Sequence, residues 1–107
     1  MALTKSFNET VKAQLQRDDD FRRALLCEAV GCMVAGDLET GKSVLRKYIN
    51  GTVGFVNLGA ALEKSPKALM RMFSPTGNPQ AKNLFEIVAY LQKCEGTVLE
   101  VVDRTAA

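Results

Sequence analysis

The chain has 107 residues, 47% of them hydrophobic and 24% charged, with a formal net charge of +2. This length is typical of one domain, and the apolar fraction is enough for a modest core. We expect this core to be largely aliphatic, because aromatic residues make up only 7% of the chain and tryptophan is absent. The lack of histidine excludes histidine-based catalysis, and three scattered cysteines without histidine disfavour a zinc site. We therefore expect neither an enzyme nor a metal or other cofactor.

The cysteines Cys27, Cys32 and Cys94 are odd in number, and the N-terminus carries no apolar segment typical of a signal peptide. No run approaches the ~18 apolar residues of a membrane span. These features predict a reducing, cytoplasmic location without membrane association. Because Cys27 and Cys32 fall in an apolar helical stretch, we expect both to be buried as small hydrophobic residues.

Residues 1–50 are predicted to form N-terminal helices. The first runs from Ser6 or Phe7 to about Arg17, and the acidic run 18–20 offers N-caps for a second that ends at Gly36.

Asp37 is the expected cap of a third helix over residues 38–49, which the left-handed backbone preference of Asn50 and Gly51 ends. Gly41 inside this helix predicts a weakness of ~1 kcal/mol relative to alanine.

Residues 52–95 carry the most informative pattern. A fourth helix starting at Val53 or Gly54 would bury an apolar stripe at i, i+3 and i+7, and Ser65 and Pro66 are suited to the N-cap and first position of a fifth. The fifth helix would bury Leu69, Met72 and Phe73 and expose Lys67, Met70 and Arg71. A short basic helix behind a hydrophobic brace is the form of a DNA-reading helix-turn-helix.

The segment 74–79 holds two prolines and a glycine, so it is predicted to be a loop, and a sixth helix follows from about Gln80 to Lys93. Residues 97–102 are short and β-branched, and predict a C-terminal strand. This strand would pair with another chain, or else the segment is a tail that lays a hydrophobic side chain onto the core.

Positive charge is concentrated near the predicted fifth helix. Residues 1–63 hold 8 basic and 8 acidic side chains, residues 64–93 hold 5 and 1, and residues 94–107 hold 1 and 3, so the three parts carry 0, +4 and −2. The basic part is where phosphate neutralisation would be needed, although so few charges can also fall this way by chance.

With these segments identified, the chain resembles Cro and phage-repressor helix-turn-helix proteins, and more narrowly the addiction-module antidote family of HigA-like antitoxins. The resemblance covers nearly the whole chain and rests on residues 36–50, 64–79 and 82–92. It implies an all-α, lambda-repressor-like fold that binds an operator as a dimer, with a small ribonuclease toxin of the RelE/HigB kind as partner. Glu63 and Lys64 stand where the family favours glycine and a hydrophobic residue, and a left-handed Glu63 would cost roughly 1 kcal/mol.

The candidate DNA contacts lie in and around the fifth helix. Arg71 is suited to a bidentate contact with guanine, Lys67 to a base or phosphate, and Met70 to a thymine methyl group or to a dimer or core contact. Ser65 and Ser74 are suited to phosphate, as are the remaining candidates Lys64, Thr76, Asn78 and Lys82. Taken singly, each has a structural alternative: Ser65 as a helix cap, the lysines as solvated side chains, and residues 74–79 as a plain loop.

The leading hypothesis is a homodimeric, sequence-specific repressor of its own operon, with antitoxin as the favoured role. The alternatives are a solitary helix-turn-helix regulator, or a helical protein-interaction module that does not read DNA.

Overall fold

The computed structural model describes the backbone of residues 2–106 and the side chains of residues 9–106. This part of the chain forms the helices α1 (Ala2–Arg17), α2 (Asp19–Val34), α3 (Leu38–Gly51), α4 (Phe55–Leu62), α5 (Pro66–Met72) and α6 (Ala81–Glu95). The predicted all-α class is confirmed, and α1 begins about one turn earlier than predicted. None of the described helices is long and apolar enough to cross a bilayer.

Short polar side chains cap α2, α3 and α5 where the sequence predicts them. Asp18 accepts a hydrogen bond from the backbone N–H of Phe21, and Asp37 accepts one from Thr40. The hydrogen bonds from Thr40 favour the charged carboxylate and lower the pKa of Asp37. These caps satisfy N–H groups that have no partner within the helix, which sets where each helix begins.

The core is one cluster of buried side chains to which all the described helices contribute. Leu15, Leu26, Leu45, Leu58, Leu69 and Ile87 are each 0% exposed, one from every helix. Burying a side chain of this kind stabilises the fold by about 1.5–3 kcal/mol. The rings of Phe55 and Phe73 lie 6.0 Å apart and join the start of α4 to the end of α5. Both ends of the α4–α5 unit are therefore anchored in the core.

Gly41 lies where α3 packs closely against α2, and it is more than the weak point predicted from its helix propensity. A Cβ atom there would lie 2.6 Å from Cγ of Met33 and 3.0 Å from the carbonyl oxygen of Ala29. The missing side chain lets the two helices approach, so the propensity cost is offset by packing.

The predicted end of α3 is wrong by a few residues. The helix continues through Gly51, and the glycine with a positive φ is Gly54, at +80°. Gly51 is buried against Leu15, where a Cβ would lie 2.5 Å from its Cδ1 atom. Gly51 therefore allows close contact with α1, and the positive-φ position comes three residues later, at Gly54.

The predicted burial of the α2 cysteines is also wrong for Cys27, which is exposed, whereas Cys32 is half-buried. The buried face of α2 runs through Leu26 and Ala29. Residue 27 follows Leu26 by one position, which rotates it by about 100° away from that face. Cys27, Cys32 and Cys94 are all free thiols.

The turn between α4 and α5 is tight and left-handed. Glu63 has φ of 56° and ψ of 45°, as expected from its place at the turn, and the N–H of Lys64 donates to the carbonyl oxygen of Gly59. A Cβ at Gly59 would lie only 2.4 Å from the carbonyl oxygen of Lys64. The turn therefore folds back against the side of α4, and this contact sets where α5 begins.

The predicted C-terminal strand is absent, because residues 97–106 form neither helix nor strand. An extended segment needs a neighbour to satisfy its backbone, and the described part of the chain offers no second strand. Instead, the N–H of Leu99 donates to Oε1 of Gln92 at 2.8 Å, and the Leu99 side chain packs against the core. This is the alternative of a tail draped onto the core; pairing with a second chain stays a prediction.

Candidate nucleic-acid interface

Helix α5 divides cleanly into a buried and an exposed face. Leu69 is fully buried and Phe73, directly after the helix, is 2% exposed, whereas Lys67, Met70 and Arg71 are exposed. Lys67 and Arg71 are four residues apart and therefore share one side of the helix. The predicted orientation of these five side chains is confirmed, whereas Met72, which was also predicted to be buried, is half-buried. The exposed face of α5 thus offers two long cations with the thioether of Met70 next to Arg71.

Neither cation of this face is neutralised by a neighbour. Lys67 and Arg71 make no ion pair or side-chain hydrogen bond with any residue that the structure describes, and the same holds for Lys82 in the first turn of α6. Five ion pairs do occur within residues 9–106, but their cations are Arg22, Arg23, Lys42 and Lys64, none of which lies on the exposed face of α5. The charges of the α5 face remain available for an external anion.

Lys64 lies apart from this set, because its ammonium group contacts α6. Its Nζ atom is 3.3 Å from Oδ1 of Asn83 and 3.3 Å from Oε1 of Glu86. The Lys64 side chain is only 24% exposed. A phosphate contact by Lys64 would have to compete with the Glu86 carboxylate, so its first role is to join the α4–α5 turn to α6.

The two serines differ in what they can still offer. Ser65 Oγ accepts a 3.0 Å hydrogen bond from the N–H of Ala68, which confirms it as the cap of α5 and leaves its hydroxyl hydrogen free to donate. Ser74 Oγ donates its only hydrogen to the carbonyl oxygen of Arg71 at 2.7 Å. Because a phosphate oxygen needs a donor, Ser65 fits the predicted contact in this conformation and Ser74 does not.

The loop after α5 is held from inside by Lys42, which sequence reasoning missed. This lysine of α3 is 1% exposed, and its Nζ atom donates to the carbonyl oxygens of Gly77 at 2.6 Å and Ser74 at 3.1 Å. Nζ also lies 3.3 Å from the carboxylate of Glu39. Thr76 and Asn78, both predicted contacts, are exposed on this anchored loop.

A periodicity signal for Lys42 was present in the sequence. Residue 42 lies at i+4 from Leu38 and at i−3 from Leu45, on the apolar face of α3. A lysine on a buried face must bring its ammonium group to acceptors. What the sequence did not reveal is that these acceptors are backbone carbonyls 32 and 35 residues further along the chain.

A second polar network, remote in sequence from α5, joins α2, α3 and α6. Arg22 donates to both carboxylate oxygens of Glu95 at 3.0 and 3.1 Å, and the hydroxyl of Tyr48 donates to Oε1 of Glu95. Hydrogen bonds to Glu95 and Asp19 raise the pKa of Arg22, and burial raises the pKa of Tyr48. These groups satisfy one another, so the network holds helices together.

The described residues contain no group of three His, Cys, Asp or Glu side chains arranged to hold a metal ion. Comparison of the chain with protein families, curated proteins and solved structures gives no match. The resemblance to HigA-like antitoxins therefore stays a prediction from the sequence, and the function is argued from the α5 face.

Proposed function

We propose that the protein is a sequence-specific DNA-binding repressor that acts as a homodimer in the cytoplasm. The observation that carries this proposal is the exposed face of α5, where Lys67 and Arg71 stand one turn apart and have no ion-pair partner among residues 9–106. Cations that are neither buried nor paired can neutralise DNA phosphates and read base edges. The remaining predicted contacts Ser65, Thr76, Asn78 and Lys82 are also exposed.

In this proposal α5 enters the major groove. The planar guanidinium group of Arg71 donates to O6 and N7 of guanine, a contact worth about 1–3 kcal/mol of discrimination between bases. Lys67 binds a base or a phosphate, and Met70, which is 46% exposed, packs on a thymine methyl group. Two copies would place their α5 helices about 34 Å apart, in successive turns of the groove.

The test is a binding titration of wild-type protein and two variants against the DNA directly upstream of its own coding sequence. A random fragment of equal length serves as the second probe, at several salt concentrations. Arg71→Ala should weaken upstream-DNA binding about 5- to 150-fold, the loss of one bidentate base contact. Arg46→Ala is the matched control, because Arg46 is exposed on α3 and its loss changes the net charge equally.

Sequence-specific binding by wild-type protein, lost in R71A and kept in R46A, supports the proposal. If wild-type protein binds both fragments equally and R71A behaves like R46A, the readout by α5 is refuted.

Within this function, the antitoxin role of a type II toxin–antitoxin operon is proposed from the sequence resemblance alone. Its partner would be a small RelE/HigB-like ribonuclease encoded next to it. Coexpression of both genes with a tag on the neighbouring product tests this role. Stoichiometric copurification and relief of growth inhibition are expected, whereas failure of both favours a solitary regulator.

A second candidate function is a protein-interaction module that does not read DNA. It is favoured by the exposed C-terminal segment, where Val98, Val101 and Val102 are 80%, 91% and 76% exposed. A segment with exposed β-branched side chains and no secondary structure of its own is suited to adding a strand to a partner. The salt titration separates the two candidates, because a module of this kind would show no preference for the upstream fragment.

A further inference from the structure

Burying the charged Lys42 side chain costs more free energy than burying an apolar side chain at the same position would. Methionine has a similar length and would bury a comparable stem without the cost of desolvating an ammonium group. What lysine adds over methionine is two hydrogen bonds, from Nζ to the carbonyl oxygens of Ser74 and Gly77. These bonds orient two peptide groups of the loop after α5.

The orientation of the Gly77 carbonyl has a consequence for the next residue. In a planar trans peptide, the C=O of one residue and the N–H of the next point in opposite directions, and the chain has no cis peptide among its described residues. With the Gly77 oxygen 2.6 Å from Nζ of Lys42, the N–H of Asn78 must point away from the buried lysine.

The N–H of Asn78 has no acceptor among residues 9–106, and Asn78 is exposed. Two other residues of the loop offer no free backbone donor. Pro75, which follows the anchored Ser74, has no N–H, and the N–H of Gly77 donates to the Ser74 carbonyl oxygen at 3.0 Å. The anchored loop therefore turns carbonyl oxygens inward and presents the Asn78 donor outward. An outward backbone N–H beside α5 is suited to a phosphate oxygen.

The loop is also held against α5 by close packing. A Cβ on Gly77 would lie 2.1 Å from the carbonyl oxygen of Arg71 and 2.6 Å from that of Met72. The position of the Asn78 N–H relative to α5 is thus set from two sides, by Lys42 through the Gly77 oxygen and by α5 through the backbone of Gly77.

From these contacts we infer that Lys42 is a positioning residue for DNA-backbone binding, which holds the Asn78 N–H toward a phosphodiester oxygen. The inference rests on the proposed function and deepens it. Because a phosphate contact carries no sequence information, the loss of Lys42 should weaken binding to every DNA sequence alike, in contrast to the loss of Arg71.

The experiment compares wild-type protein with K42M and with K47M, which removes one exposed lysine from the same helix. Urea unfolding first establishes that each variant is folded under the binding conditions. K42M is expected to bind both the upstream and the random fragment about tenfold more weakly than K47M, the scale of one hydrogen bond to a charged group, with their affinity ratio unchanged. Folded K42M with the affinities of K47M overturns the inference while leaving the proposed function intact.

If K42M does not fold, the predicted phosphate contact of the Asn78 N–H is tested on wild-type protein. In ¹H–¹⁵N spectra, the Asn78 amide resonance should shift when the random fragment is added, as expected for a backbone contact. An Asn78 resonance that does not respond while other resonances report binding refutes the role of Lys42. If wild-type protein binds neither fragment, the proposed function fails and this role fails with it.

Discussion

Replacing Gly59 by alanine should destabilise the protein, although alanine is the better helix former. A Cβ at residue 59 would lie 2.4 Å from the carbonyl oxygen of Lys64, whereas ordinary contact begins at 3.4 Å. The obstacle is backbone, so the α4–α5 turn has to move by about 1 Å. Overpacking of this kind costs about 1–3 kcal/mol, and a clash with backbone belongs at the upper end.

The gain in helix propensity offsets part of this cost. Alanine is favoured over glycine by about 1 kcal/mol in a helix interior, so G59A should lose a net ~2 kcal/mol of unfolding free energy. For a domain of this size, that loss lowers Tm by about 8–16 °C. The matched control is Gly31→Ala in α2, where an added Cβ meets nothing within 4 Å. G31A should instead gain up to about 1 kcal/mol.

Thermal unfolding followed by circular dichroism, with urea titration at one temperature, measures both variants. The two substitutions are chemically identical and should change stability in opposite directions. If G59A is as stable as G31A, the turn does not pack against α4 as described. The placement of α5, and with it the proposed DNA-binding face, would then need revision.

Two further variants test single hydrogen bonds. Ser65→Ala removes the cap of α5 and should cost about 1 kcal/mol in urea unfolding, whereas Ser43→Ala, at an exposed site inside α3, should change stability by less than about 0.5 kcal/mol; equal effects would show that the cap contributes nothing. Burial raises the pKa of Tyr48, so the folded state holds the phenolic proton more tightly than the unfolded state does. The stability that Tyr48 contributes is therefore fully present below pH ~10 and falls above it by up to about 1.4 kcal/mol per pH unit. Tyr48→Phe should lack this part of the alkaline loss in urea titrations at increasing pH, and identical pH profiles would contradict the burial argument.

The local features of the fold were readable from the sequence because their causes are local. Asp37 and Ser65 cap helices through bonds that span three residues, and the apolar stripes of α4 and α6 follow from helical spacing alone, although Leu62 of α4 is only half-buried. The exposed face of α5 belongs to the same class, since burying Leu69 leaves Lys67 and Arg71 on the other side. The candidate site is therefore largely visible in the sequence as a set of residues.

Errors arose where a residue type has two uses that only tertiary packing can separate. The sequence predicts Gly51 as part of a helix end, but its role is close contact with Leu15, and the positive φ belongs to Gly54. Residues 97–102 have the composition of a strand, yet a strand requires a partner that the described chain does not supply.

What the sequence determined by itself is the order of the helices, their caps and the outward face of α5. Only the tertiary structure decided which polar groups remain free to act. It paired Lys64 with Glu86 and brought Lys42 to the loop after α5. The physical reason is range: helix periodicity and capping act over three or four residues, whereas these partners meet only when the core has formed.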